Sequence, residues 1–202
     1  MDARTWFASA AAGFLEVVDG MDAGALDSPG LGVWDVRSLL GHTSRSFLTL
    51  EAYLRPDDPR EVDLATSAAY FVTARPVLAD QTLVAERGRL AGVALGDAPT
   101  AAVREIAGRV LAVVDRTSDD CRVETPLGVM TLATYLPTRA FELTVHGIDL
   151  ARATDQSIPV GLVDAAVPAA ELGAAMASPD KRVELLMAMT GRNGLGAGFS
   201  VL

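Results

Sequence analysis

Tyr135-Leu-Pro-Thr-Arg139-Ala-Phe-Glu142-Leu-Thr-Val-His146-Gly-Ile-Asp149-Leu-Ala-Arg152 has the periodicity of a helix that packs on one side. Leu136, Leu143 and Leu150 return at every second helical turn, as on the inward side of a bundle helix. At about 100° per residue, Glu142 and His146 stand one above the other, and Arg139 falls within about 60° of both. A carboxylate and an imidazole one turn apart are half of an N/O metal site of the kind built inside helical bundles. The same spacing also serves an ordinary surface hydrogen bond, and Glu142 can equally pair with Arg139 at i−3. Which of these holds depends on what faces this helix.

The other histidine of the chain, His42, lies on a second helical pattern. Val33-Trp34-Asp35 opens it, with Asp35 placed to cap the free amides of the first turn. Leu39, His42, Ser46, Leu50 and Tyr53 then share a mostly apolar face that reads as inward. If both stripes face one interior, His42, Glu142 and His146 converge. Buried imidazole and carboxylate groups are costly unless paired, and a divalent metal satisfies all of them. A hydrogen-bonded core histidine at position 42 is the alternative.

Outward from these helices, residues 3–20 place Trp6, Ala10, Phe14, Leu15 and Val18 at helical spacing up to Gly20. Arg55-Pro-Asp-Asp-Pro-Arg60 is a loop. From Val62 to about Arg89 the pattern is helical, kinked or split at Pro76, and Leu90 to Pro99 reads as a loop. Thr100 is placed to cap a helix carrying Val103, Ile106, Val110, Val113 and Val114. Cys121 to Thr131 is β-leaning, either a small hairpin or an extended connector, before a helix over about 132–154 with Pro137 in its first turns. Asp155 to Pro159 is a linker, followed by helical segments over about 161–177 and 180–190 and a Gly-rich tail. The pattern predicts an all-α protein: an antiparallel four-helix bundle over residues 1–155 with a small C-terminal helical segment, 156–202, packed on it.

Composition narrows the function. Seventeen basic against 26 acidic residues give a net charge of −9, which argues against a nucleic-acid or anionic-membrane partner. Half of the 202 residues are hydrophobic and 5% are aromatic, a balance that favours helices. The single cysteine, Cys121, excludes an internal disulfide and fits a reducing cytoplasm. The sequence shows no signal-peptide pattern at Met1 and no apolar span of membrane length, so a cytoplasmic protein is expected. Its alanine-rich helices permit a monomer or a homodimer.

Trp34-Asp-Val-Arg-Ser-Leu-Leu-Gly-His42 resembles the W-[ST]-x-[RK]-x-L-x-x-H signature of DinB-like bundles, with Asp35 where Ser or Thr is usual. Thr125-Pro-Leu-Gly through Arg139-x-x-Glu142-x-x-x-His146-x-x-Asp149-Leu resembles the corresponding block of the mycothiol-dependent maleylpyruvate isomerase family, and Met189-Thr-Gly-Arg192 with Gly198-Phe-Ser200 is similar to the end of its members. The resemblance implies a DinB-like fold and a divalent metal, zinc in most members, held by His42, Glu142 and His146. It implies mycothiol as a second cofactor, bound to the metal as thiolate, and a small electrophilic substrate. In the isomerase reaction so implied, the thiolate adds to a cis double bond, the adduct rotates, and elimination leaves the trans isomer. Arg139 is then the first candidate for holding substrate carboxylates and the enolate, with pairing to Glu142 or Asp149 as its structural alternative. Asp149 either orients His146 or faces solvent. The resulting expectation is a maleylpyruvate isomerase-like enzyme or a thiol S-transferase. The alternatives are a non-catalytic metal-binding or ligand-sensing bundle, or a helical protein in which His42 never meets Glu142.

Overall fold

Capping side chains start most of the helices. In the computed structural model, which describes residues 1–202 apart from the side chain of Leu78, Asp2 accepts the Thr5 amide at the start of α1 (Ala3–Asp19). Asp35 accepts the Ser38 amide at the start of α2 (Val36–Tyr53). Thr131 and Thr134 form a reciprocal capping box at the start of α6 (Leu132–Ala153). The remaining helices are α3 (Ser67–Leu78), α4 (Gln81–Ala94), α5 (Pro99–Arg116), α7 (Val160–Met176) and α8 (Pro179–Met189). No helix among the described residues is long and apolar enough to cross a membrane.

α1, α2, α5 and α6 form a helical bundle, as the hydrophobic pattern predicts. α1 and α5 run in opposite directions: Arg4 reaches Asp119 just beyond the end of α5, while Asp19 meets Arg104 near its start. α2 and α6 are likewise opposed, with His42 against His146 and Tyr53 near Tyr135. Phe7, Phe14, Phe47, Leu39, Leu136 and Leu143 fill the shared core, each at most 1% exposed. α7 packs across α1 and α6 through Leu162, whose side chain sits over Gly13 and Gly147. α8 buries no residue.

The 121–131 segment forms a hairpin, and it also recruits a third strand. β1 (Leu54–Arg55), β2 (Arg122–Thr125) and β3 (Gly128–Thr131) form a small antiparallel sheet in that order. The Asp63 carboxylate accepts the Val129 amide at 2.8 Å, and the turn residues Pro126 and Leu127 project towards a cavity described below.

Three local expectations are corrected. The stretch expected to be helical from Val62 becomes so only at Ser67, after the Thr66 cap, and is two helices; the break falls at Asp80, which caps α4 by accepting the Leu83 amide, rather than at Pro76 inside α3. Leu90 is no loop start: α4 continues to Ala94, since Gly92 lies directly against α2, where a Cβ would come within 2.7 Å of the Arg37 carbonyl oxygen. Thr100 does not cap α5, which begins at Pro99 after Ala98 with no side-chain cap, the proline needing no amide partner.

Candidate metal centre

α2 and α6 bring His42, Glu142 and His146 together. One donor atom from each lies within 4.8 Å of the others. Glu142 Oε2 stands 3.4 Å from His146 Nε2 and 3.9 Å from His42 Nε2. Nitrogen and oxygen ligands about 2.1 Å from one tetrahedral ion stand about 3.4 Å apart, so the spacing admits a divalent cation after small side-chain rotations. The three side chains are 16–21% exposed, shielded from bulk water yet open to a ligand on one side.

The electrostatics fit such a donor set. Burial, with the His146 ring beside it, pushes His42 down to about 4, so its imidazole is neutral at physiological pH. Burial works against a charged Glu142, yet the hydrogen bond and charge of His146, with Arg139 and His42, hold it down to about 2. Burial likewise opposes a charged His146, but bonds to Asp149 and Glu142 lift it to about 9. Asp149 on Nδ1 and Glu142 on the Nε2 side thus both favour a charged His146, and a cation among the three donors would have to displace a proton from it.

What surrounds the ligands differs from one to the next. His146 Nδ1 lies 3.1 Å from Asp149 Oδ2, the carboxylate–histidine arrangement that fixes a ligating ring. Asp149 is thus turned to His146 rather than to solvent. His42 has no such partner: its Nδ1 is buried without a hydrogen bond, and the ring stacks instead on Trp34 at 4.5 Å. Trp34 is held by its indole N–H to the Ala85 carbonyl at 2.8 Å and by Gly88, where a Cβ would come within 2.5 Å of the ring.

Arg139 pairs with neither Glu142 nor Asp149. It is 8% exposed, donates from Nε to Thr138 Oγ1 at 3.0 Å, and sets its guanidinium against the rings of Tyr135 (5.0 Å) and Tyr70 (5.5 Å), which themselves meet edge to face. Arg139, Glu142 and His146 line a cavity of about 460 Å³ together with His42 and Trp34. Arg45 and Arg87 also reach it. Arg45, one turn beyond His42, was legible as a neighbour in sequence; Arg87, on α4, carried no signal. Cys121 lines a separate cleft with Asp57, Asp58 and Arg122, and burial pushes its thiol up, which suits no nucleophile.

Fold and site together define a helical bundle with a pre-arranged His–Glu–His donor set beside a ligand-sized cavity. The family profile described as mycothiol maleylpyruvate isomerase N-terminal domain matches residues 7–151, more than half of the chain, and the chain belongs to this family. No curated protein and no solved structure matches it.

Proposed function

We propose that this protein is a metal-dependent enzyme using a low-molecular-weight thiol, mycothiol, on a small electrophile, in the manner of maleylpyruvate isomerase or a thiol S-transferase. The observation that carries the reading is the meeting of His42, Glu142 and His146, the whole histidine complement of the chain, at the wall of a ligand-sized cavity. A divalent metal, zinc by donor chemistry and by family, would supply the charge that ionises a thiol near neutral pH.

The chain's own residues do the rest. His42, Glu142 and His146 would hold the ion, with Asp149 fixing the His146 ring through Nδ1. The Arg139 guanidinium, set against Tyr70 and Tyr135 at the cavity wall, binds a carboxylate of the electrophile and the negative charge that develops on addition. The apolar part of the cavity excludes water that would compete for the electrophile. The division into a bundle over 1–155 and a segment over 156–202, and a cytoplasmic location, belong to this reading as well.

Metal content tests it first. The protein purified without added metal should carry or take up about one equivalent of zinc, and His42→Ala and His146→Ala should each abolish uptake. Assays of the loaded protein with mycothiol and an electrophile panel should then show thiol-dependent turnover. Recovery of the thiol marks isomerisation and its stoichiometric loss marks transfer. Zinc uptake without turnover across the panel would leave the non-catalytic or ligand-sensing bundle in its place.

A further inference from the structure

We infer that the cavity beside the donor set takes an amphipathic anion, a ligand with one carboxylate-type head and an apolar body of about the size of a phenyl ring. Its role as the electrophile rests on the function proposed above; its binding does not.

The head is called for by the cations. In a chain of net charge −9, the cavity lining includes Arg45, Arg87 and Arg139 against a single side-chain carboxylate, Glu142, with the terminal residue Leu202 also at the lining. Among the described residues no carboxylate lies within ion-pair distance of any of these guanidiniums, whereas Arg55 and Arg60 on the small sheet share Glu124. Arg139 is the telling case. The residue is 8% exposed; its guanidinium has one side-chain hydrogen bond, from Nε, and turns its remaining N–H groups to the cavity it lines, where an anion can meet them. The faces of Tyr70 and Tyr135 offset part of the cost of burying the charge but accept no hydrogen bond in the guanidinium plane. The Tyr135 hydroxyl is itself buried without a partner. Arg45 stands one turn past His42 on α2 and Arg139 one turn before Glu142 on the opposed α6, so both lie on the same side of the donor set. An anion held there sits about 5 Å along the helix axes from the ligands.

The body is called for by the opposite lining. Phe71, Ala74, Val77, Val84, Phe141 and Val145 form an apolar wall from α3, α4 and α6. A small, wholly hydrophilic dicarboxylate would answer the arginines and leave this wall against water. A ligand with an apolar body covers it, and the cavity of about 460 Å³ accommodates one.

The test is calorimetric titration with trans-cinnamate, phenylphosphonate, cinnamyl alcohol and maleate, on the chelator-treated protein and again with one equivalent of zinc. Cinnamate should bind about tenfold or more tightly than both the alcohol, which lacks the charge, and maleate, which lacks the body. Arg45→Gln, at a half-buried position that leaves the core untouched, should weaken cinnamate at least about fivefold and leave the alcohol unchanged. Phenylphosphonate binding as tightly as cinnamate supports the anionic head in its general form. Equal binding of cinnamate and cinnamyl alcohol, maleate binding at least as tightly as cinnamate, or no binding of cinnamate in either state overturns the inference. Cinnamate binding without zinc uptake would sustain it and sink the metal reading; zinc uptake without cinnamate binding would do the reverse.

Discussion

Two unlike walls enclose the cavity. The wall made by α2 and α6 belongs to the packed core, with Leu39, Leu40, Phe47, Leu50, Tyr135 and Leu143 all at 0% exposure. The wall made by α3 and α4 is thin. The buried residues of α4 are Gly88 and Gly92, and Leu83, Leu90 and Val93 along it are more than half exposed. α4 is seated instead by backbone proximity: a Cβ on Gly41 would fall 2.1 Å from the Gly92 nitrogen. The donor atoms thus stand on rigid, interlocked helices, where a ligand set must be held to within fractions of an ångström. The side that meets the substrate's body includes α4, which is held to α2 through Gly41 and Gly92 rather than through large buried side chains, so its other positions can change without disturbing the ligands.

That contrast can be broken by mutation. The largest effect is expected from Leu143→Ala, which opens a void in the interlocked wall and should cost about 3 kcal/mol, while Val84→Ala on the thin wall should cost less than about 1 kcal/mol. Denaturant titrations that give equal losses would remove the distinction between the walls. Next comes Gly92→Ala, which pushes α4 off α2 and should cost about 2 kcal/mol, or about 4–8 °C in melting temperature. Its helix propensity alone would favour alanine, so a stabilised variant would show that α4 is not held by this contact.

Asp149→Asn sharpens the comparison from the metal side. It keeps the shape at His146 but removes the negative charge facing Nδ1, and should weaken zinc about tenfold, by competition with a chromogenic chelator, while the metal-free protein loses part of the stability that the charged His146 contributes at neutral pH. An unchanged zinc affinity would leave Asp149 a surface residue.

A further effect lies in the pH profile of the metal-free protein. His146, raised to about 9, contributes stability that is fully present below its unfolded value of 6.5 and is lost as pH rises through 9. His42, lowered to about 4, costs stability as pH falls from 6.5 towards 4, because only the unfolded chain then takes up its proton. Glu142, lowered to about 2, removes its own contribution only below its usual 4.5. Melting temperature with chelator present should therefore peak near pH 6.5, and a flat profile between 5 and 9 would count against the coupled His–Glu–His cluster.

The sequence by itself determined the bundle helices and the identity of the candidate ligands. Caps such as Asp35 and the inward stripes of α1, α2, α5 and α6 are local signals, since 3.6-residue periodicity and capping act within a turn or two of chain. With His42 on one inward face and Glu142 and His146 on another, little freedom remained in how the donors could meet. Tertiary structure decided the rest. The Leu90–Ala94 stretch stays helical because Gly92 finds α2, about fifty residues away in sequence, and no local pattern announces that contact. Arg139 turns from Glu142, its neighbour on the helix, because the rings of Tyr70 and Tyr135 offer a face at 5–6 Å while Glu142 is taken by the histidines. Arg87 and the third strand at Leu54–Arg55 enter for the same reason: each depends on elements that become neighbours only once the chain has folded, where burial and the supply of partners outweigh local preference.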